Sequence, residues 1–391
     1  MARLKVLHVI TTLPRLSGAA DNTRYTVNLL DPERYEVHLA CGPAELDVSG
    51  VKPHVKVAVI DPLVRPVAPV SDIRAAARLY SAFRQERYDI VHTHNAKAGV
   101  LGRVAAKLTG VPVVVHTAHS ISFVASTSRV ANWAYRMADG ACAPLTDKIV
   151  TVSELNTETY LQAGIGQSAQ YVTIYSGVET SKYLDRSQRE ACRTDLGLRD
   201  RELLTVWIGR LNRQKDPVTF VRAAHLLSAR FPQMRFVIVG ENALGESLEE
   251  AVTQAIQTLH LESRIQLLGY RTDVDRILVA ADLVMHTSLY EGLGRSIVEA
   301  MLTATPLVAT AVDGVREAVV PGVRGGLLVP PRNPEALADA AATLIDDPRL
   351  ATRLAAAGQA WARERFDVQD MVAAIDRLYQ NLWRDRFVRH L

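Results

Sequence analysis

Short β-branched runs alternate with amphipathic segments along nearly the whole chain. Residues 4–11, 35–41, 55–60, 89–93, 111–116, 148–152 and 171–174 are apolar enough to be strands buried on both faces. Between them, residues 21–30, 72–86, 98–108 and 153–163 repeat their apolar positions at helical spacing. After a polar stretch at 186–190, read as a linker, the alternation resumes. Strands are predicted at 203–208, 235–239, 264–268, 282–286 and 306–309, with helices at 217–230, 246–260, 272–280 and 295–302. An alanine-rich helical stretch fills 334–366, and a last helix spans 370–387 with Met371, Ala374, Leu378 and Leu382 on one face. Strands and helices in alternation imply parallel sheets covered on both sides by helices. The expected fold is α/β, with two doubly wound Rossmann-like domains at 1–180 and 181–367 and a terminal helix at 368–391.

Composition narrows this little but excludes much. The chain has 391 residues, and 48% hydrophobic side chains rule out disorder. No window approaches the ~20 apolar residues of a membrane span, and the first ten residues lack the features of a secretory signal. Cys41, Cys142 and Cys192 lie far apart, which argues against disulfides and zinc. The expected location is the cytoplasm, with possible peripheral attachment at the inner membrane face. The net charge is +3, and the whole excess lies in residues 1–180, where 18 Lys/Arg face 15 Asp/Glu. Nucleic-acid binding would need a stronger basic stripe. An anionic small molecule, an anionic membrane or an ordinary solvated surface all fit the excess.

Doubly wound sheets bind ligands at the carboxyl ends of their strands, and four clusters follow strands. Ser17-Gly18-Ala19-Ala20-Asp21 places a glycine at a strand-to-helix turn, where backbone N–H groups can meet an anion. No G-x-G-x-x-G accompanies it, which argues against a nicotinamide site. His92, His94, His116 and His119 end two adjacent strands without a carboxylate or thiolate at ligand spacing, so no metal is assigned. His119 sits just beyond an apolar run, where a side chain can enter a cleft. Gly209-Arg210-Leu211-Asn212-Arg213-Gln214-Lys215-Asp216 sets a guanidinium and an ammonium on one loop. The pair suits a diphosphate, though a solvated basic loop has the same pattern. In residues 288–300, Glu291 and Glu299 flank Gly292, Leu293 and Gly294 at a helix start. Such glycines open backbone N–H groups to phosphate, and the carboxylates can accept from ribose or sugar hydroxyls.

In this order, the clusters resemble the retaining family 4 glycosyltransferases of the GT-B fold. Glu291 to Glu299 matches that family's E-x7-E signature, and Arg210 with Lys215 matches its diphosphate-binding pair. Gly269-Tyr270 and the segments 311–317 and 322–330 match as well, while 91–103 resembles the branch that assembles bacterial surface polysaccharides. The resemblance implies two domains facing a central cleft, with the C-terminal helix crossing back to the first. The donor would be a nucleotide-diphosphate sugar, a UDP-sugar such as UDP-GlcNAc, held by the second domain. The first would bind the acceptor glycan, a lipid-linked saccharide. No metal or other cofactor is called for.

By position, the resemblance gives the diphosphate to Arg210 and Lys215, the donor sugar to Glu291, and the ribose to Glu299. Backbone near Gly292 and Leu293 would meet phosphate or sugar, and Tyr270 would border the base. His119 would touch the donor sugar near the reacting carbon, and Gly18 would lie under the phosphates. The chain departs from the family at Ser17, where a glycine is usual, in the loop 239–243, which lacks a second glycine, and at His119-Ser120, where relatives carry His-Gly. Arg103, Lys107, Arg129 and Arg136 are expected to attract an anionic membrane, beside a segment at 123–144 that reads equally as an amphipathic acceptor-side element or as a core helix. A soluble natural-product or aminocyclitol acceptor, and a nucleotide-sugar epimerase of the same fold, remain as alternatives.

Overall fold

The computed structural model describes residues 3–15, 17–124, 128–241 and 247–388. The chain divides into two compact units, Met1–Gly177 together with Val368–Leu391, and Val178–Asp367. Part of the segment 123–144 and part of the loop 239–243 fall outside the described residues.

The first unit runs β1 (Leu4–Ile10), α1 (Gly18–Leu29), β2 (Tyr35–Cys41), β3 (Lys56–Val59), α2 (Pro69–Glu86), β4 (Ile90–His94), α3 (Ala96–Thr109), β5 (Val113–Ala118), α4 (Arg129–Cys142), β6 (Lys148–Thr151), α5 (Glu154–Gln162) and β7 (Tyr171–Thr173). Its seven parallel strands lie in the order β3-β2-β1-β4-β5-β6-β7. Period-two alternation sorts the core into two faces. Leu7, Val9 and Val91 pack under α2 and α3, while Val6, Ile10, Ile90 and Val115 face α1.

The second unit runs α6 (Arg189–Asp195), β8 (Leu203–Ile208), α7 (Pro217–Arg230), β9 (Met234–Val239), α8 (Glu249–Thr258), β10 (Ile265–Gly269), α9 (Val274–Ala280), β11 (Leu283–His286), α10 (Arg295–Leu302), β12 (Leu307–Thr310), α11 (Val315–Ala318), β13 (Gly326–Val329), α12 (Pro334–Asp346) and α13 (Pro348–Arg363). Its six-stranded sheet has the order β10-β9-β8-β11-β12-β13. The last helix, α14 (Val368–Val388), returns to the first unit. Ala374, Leu378 and Leu382 border that unit's core, and Met371, Ile375 and Tyr379 are buried in it. Each such side chain contributes roughly 1.5–3 kcal/mol. Asp376 ties the helix to β2 by accepting from Tyr35 at 2.5 Å and Arg34 at 2.7 Å.

Three segments differ from expectation. The stretch 186–190 is not a free linker. Arg189 donates to the Val279 and Ala281 carbonyls, and Arg186 to that of Thr303, so the segment is anchored within the second unit. The alanine-rich stretch is two helices, because Pro348 cannot continue α12 and Asp347 caps α13 by accepting from Leu350 N–H at 3.0 Å. β13 was not foreseen as a strand because it is four residues long and opens on glycine. A Cβ on Gly326 would stand 1.7 Å from the Leu307 carbonyl oxygen, so only glycine lets β13 pair there with β12.

Candidate active site

In the second sheet the connectivity reverses between β8 and β11. Doubly wound sheets bind ligands at such a switch point, and it falls at the loops leaving these two strands. The loop after β8 carries Arg210 and Lys215, and the loop after β11 carries Glu291, Gly292 and Leu293. Trp207, fully buried on β8, donates to Thr287 at 2.8 Å, and Thr287 donates to the Lys215 carbonyl at 2.7 Å. Leu289 N–H reaches the Gln214 carbonyl at 2.7 Å. The loops are thus laced together by side-chain and backbone hydrogen bonds. Gly209 and Gly240 end β8 and β9, and their chains nearly touch. A Cβ on Gly240, at φ +128°, would stand 2.0 Å from the Gly209 carbonyl oxygen.

Lys215 forms an ion pair with Glu291 Oε1. Ser288 Oγ donates to the same oxygen at 2.7 Å, and His286 Nε2 lies 3.4 Å from it. Oε2 carries no hydrogen bond among the described residues, since Lys215 and Ser288 both bond Oε1. Burial opposes ionisation of Glu291, but Lys215 and His286 outweigh it and hold the carboxyl well below its usual range. Burial also lowers the pKa of His286, against the pull of Glu291. Asp313 accepts from Glu291 N–H at 2.9 Å, and burial raises its own pKa. Arg210 donates to Gln214 at 3.0 Å, and Glu299, in the second turn of α10, accepts from Arg295 at 2.8 Å. Tyr270 follows β10, at the sheet edge two strands from β8. Seven of the expected site residues therefore belong to this unit, and two of them, Lys215 and Glu291, are in direct contact.

Gly18 and His119 belong to the first unit. Gly18 begins α1, and a Cβ there would meet nothing within 4 Å, so its backbone is open to a ligand. Ser17 is the N-cap of that helix and accepts from Ala20 N–H at 3.4 Å, a role serine fills better than the usual glycine. Sheet alternation divides the four strand-end histidines. His116 faces α3, where a Cβ on Gly99 would come within 2.6 Å of its ring. His92 and His94 face the other way, with His8 of β1 beside them, and His94 Nδ1 meets His119 Nε2 at 3.0 Å. Ring nitrogens of His8, His92 and His94 lie within 4.8 Å of one another. The rings of His92 and His94 stack, with centroids 4.4 Å apart, so their in-plane lone pairs do not converge as a metal requires.

The model for glycosyl transferases group 1 matches residues 188–361, and the model for glycosyltransferase family 4 matches residues 16–182. The chain belongs to the family 4 glycosyltransferases of the GT-B fold. It is 28% identical over 349 residues to the UDP-Gal:alpha-D-GlcNAc-diphosphoundecaprenol alpha-1,3-galactosyltransferase of Escherichia coli, covering 88% of this chain and 89% of that one. A D-inositol 3-phosphate glycosyltransferase of a Mycobacterium species (strain KMS) is 31% identical over 62% of this chain and 55% of its own. Anabaena HepE, solved in complex with UDP and glucose, superposes with a TM-score of 0.83 at 25% identity, covering 97% of this chain and all of that one. The enzyme is a glycosyltransferase that uses a nucleotide sugar.

In this glycosyltransferase, one expected membrane contact is corrected. Arg103 is 1% exposed, bonded to the Gly99 carbonyl and to Asp139 at 2.9 Å, and cannot reach lipid. Its helical period places it against α4 rather than outward. Sequence reasoning also missed His8, Tyr379 and His286 as members of the two polar clusters, and gave Ser288, the first residue of the 288–300 cluster, no role. His286 and Ser288 had a local signal, since both lie within five residues of Glu291 at a strand end. His8 and Tyr379 had none, being separated by 371 positions and joined only by the fold.

Proposed function

We propose that this glycosyltransferase moves a hexosyl group from a UDP-sugar to a hydroxyl of a lipid-linked saccharide, with retention of anomeric configuration. The observation that carries the reading is the pairing of Lys215 with Glu291 at the switch point, beside Arg210 and the glycine-flanked start of α10. In this reading residues 181–367 hold the donor, and residues 1–180 with 368–391 hold the acceptor. Arg210 and Lys215 stabilise charge developing on the diphosphate, and the loss of such a group commonly lowers turnover ~10²–10³-fold. N–H groups at Gly292 and Leu293 meet phosphate or sugar, Glu299 accepts from ribose, Tyr270 borders the base, and Gly18 lies under the phosphates. Glu291 binds a sugar hydroxyl through Oε2, and its Oε1, held by Lys215 and Ser288, is a poor nucleophile. The acceptor hydroxyl therefore attacks on the face the diphosphate leaves, and the departing phosphate oxygen takes its proton. His119 contacts the donor sugar beside the reacting carbon.

Two relatives support the choice of substrates. The HepE structures hold UDP, UDP-glucose, or UDP with glucose, and the name of the Escherichia coli enzyme specifies a diphosphoundecaprenol-linked acceptor. Among the described residues no helix is long and apolar enough to cross a membrane. Helix α4 instead exposes Val130, Trp133 and Met137 along one side, with Arg129 and Arg136 exposed nearby, a pattern suited to the surface of an anionic bilayer. The mycobacterial relatives favour a second reading, a small soluble polyol phosphate as acceptor. Thermal-shift titration with UDP, GDP and their sugars tests the donor, since binding stabilises the fold by mass action. Stabilisation by UDP and UDP-hexoses is expected. Stabilisation by GDP alone would overturn the donor assignment, and transfer to inositol phosphate but not to a lipid-linked saccharide would favour the second reading.

A further inference from the structure

A continuous line of buried side chains runs behind His119. His119 Nε2 meets His94 Nδ1 at 3.0 Å, and His94 Nε2 meets His8 Nδ1 at 2.9 Å. His8 Nε2 meets the Tyr379 hydroxyl at 3.2 Å, Tyr379 meets His92 Nδ1 at 2.5 Å, and His92 Nε2 meets Thr117 Oγ1 at 2.6 Å. Every member belongs to the first unit. Burial holds His8 and His119 at about 3, and His92 and His94 well below their usual value, so each ring is neutral and carries one N–H. One proton per ring, with the buried Tyr379 proton also held in a hydrogen bond, leaves only two arrangements, because each link forces the direction of the next. Either every N–H points from His119 toward Thr117, or every one points back.

Tyr379 decides between them. Its single proton goes to His92 or to His8. The 2.5 Å contact to His92 suits an O–H donor, whereas 3.2 Å to His8 is long for O–H and ordinary for N–H. Tyr379 therefore donates to His92 and accepts from His8. His8 then donates from Nε2, His94 donates to His8, and His119 donates to His94. This leaves His119 Nδ1 with a bare lone pair, and that atom is buried without a hydrogen-bond partner among the described residues. A buried acceptor left unsatisfied is unfavourable, and a ligand hydroxyl would satisfy it.

The geometry points to His94, His8 and Tyr379 as positioning residues that set the tautomer of His119, so that Nδ1 is a fixed acceptor for a hydroxyl of the donor sugar. This rests on the reading of His119 as a donor-sugar contact. The relay gives α14 a part in donor selection, since Tyr379 is its most deeply buried side chain.

The test joins ¹⁵N-edited NMR of the histidine rings with steady-state kinetics on the full chain. In the wild type, His8, His94 and His119 are expected to be protonated at Nε2 and bare at Nδ1. Tyr379→Phe keeps the ring and removes the hydroxyl. Mixed tautomers at His119 are expected in that variant, with kcat/KM for the UDP-sugar lowered about tenfold, the worth of one hydrogen bond. UDP affinity should be unchanged. A wild-type His119 protonated at Nδ1 overturns the relay even if the variant does not fold, and so does a variant with unaltered tautomers and kinetics. His119→Ala separates the two claims. If it leaves UDP-sugar affinity intact, the sugar contact itself is wrong. If it lowers that affinity and Tyr379→Phe does not, only the relay fails.

Discussion

Replacing Lys215 with alanine removes the ammonium bonded to Glu291 and leaves a carboxylate whose side chain is only 9% exposed. At 4 Å and an effective dielectric constant of about 20, such a pair interacts by ~4 kcal/mol. Ser288 still donates to Glu291 and offsets about 1 kcal/mol of that loss. The net destabilisation is then about 3 kcal/mol, at the lower edge of the range for breaking a buried pair. For a unit of this size, that lowers the transition temperature by roughly 6–12 °C in scanning calorimetry. The pH dependence gives a sharper check. In the wild type the lowered pKa of Glu291 stabilises the fold at and above the usual carboxylate value of 4.5, and this is lost only as pH falls below it. In the variant, burial is opposed only by His286 and Ser288 and raises the pKa relative to the wild type, so protonation relieves the penalty as pH falls from 8 toward 5. The gap between wild type and variant should therefore be widest near pH 8 and narrow in acid. The double variant Lys215→Met with Glu291→Gln should regain most of the stability while remaining inactive. A loss below about 1 kcal/mol, or a gap that does not change with pH, would refute the reasoning.

Other outcomes follow from other parts of the molecule. Arg103→Ala should destabilise the first unit by about 3 kcal/mol, because Asp139 loses its buried partner, and should leave binding to anionic vesicles unchanged. Gly240→Ala should abolish a folded second unit in urea titration, since the new Cβ would overlap the Gly209 carbonyl. Val130→Ser with Trp133→Ser should weaken vesicle sedimentation without altering thermal stability, as both side chains are exposed. His8, His92 and His94 stay neutral when folded and take up protons when unfolded, so stability should fall as pH drops below 6.5. At pH 5.5 each costs about 1.4 kcal/mol, which His8→Gln should partly remove in equilibrium unfolding.

Legibility in the sequence tracked how local the signal was. All twelve strands expected from apolar runs are present, because parallel strands buried on both faces cannot hide their composition. β13 escaped because close backbone approach demanded glycine where apolar character would have marked it. Lys215 and Glu291 were each visible in loops after strands, but their mutual contact depended on the placement of β8 beside β11 across a crossover. The histidines were visible as a cluster on β4 and β5, yet the alternation of the sheet sends His116 to the opposite face and recruits His8 in its place. Arg103 looked like a surface cation because nothing near it in sequence discloses Asp139, 36 positions away. In general, composition revealed elements and their ends, while pairing across elements had to come from the fold.

The central claim is sugar transfer from a UDP-sugar with retention, and NMR of the product formed from an α-linked UDP-hexose and a diphospholipid-linked saccharide tests it most directly. The expected result is UDP release that depends on acceptor, with a small three-bond H1–H2 coupling that marks an α-linked product. A β-linked product, or conversion of the donor sugar without any acceptor, would contradict it.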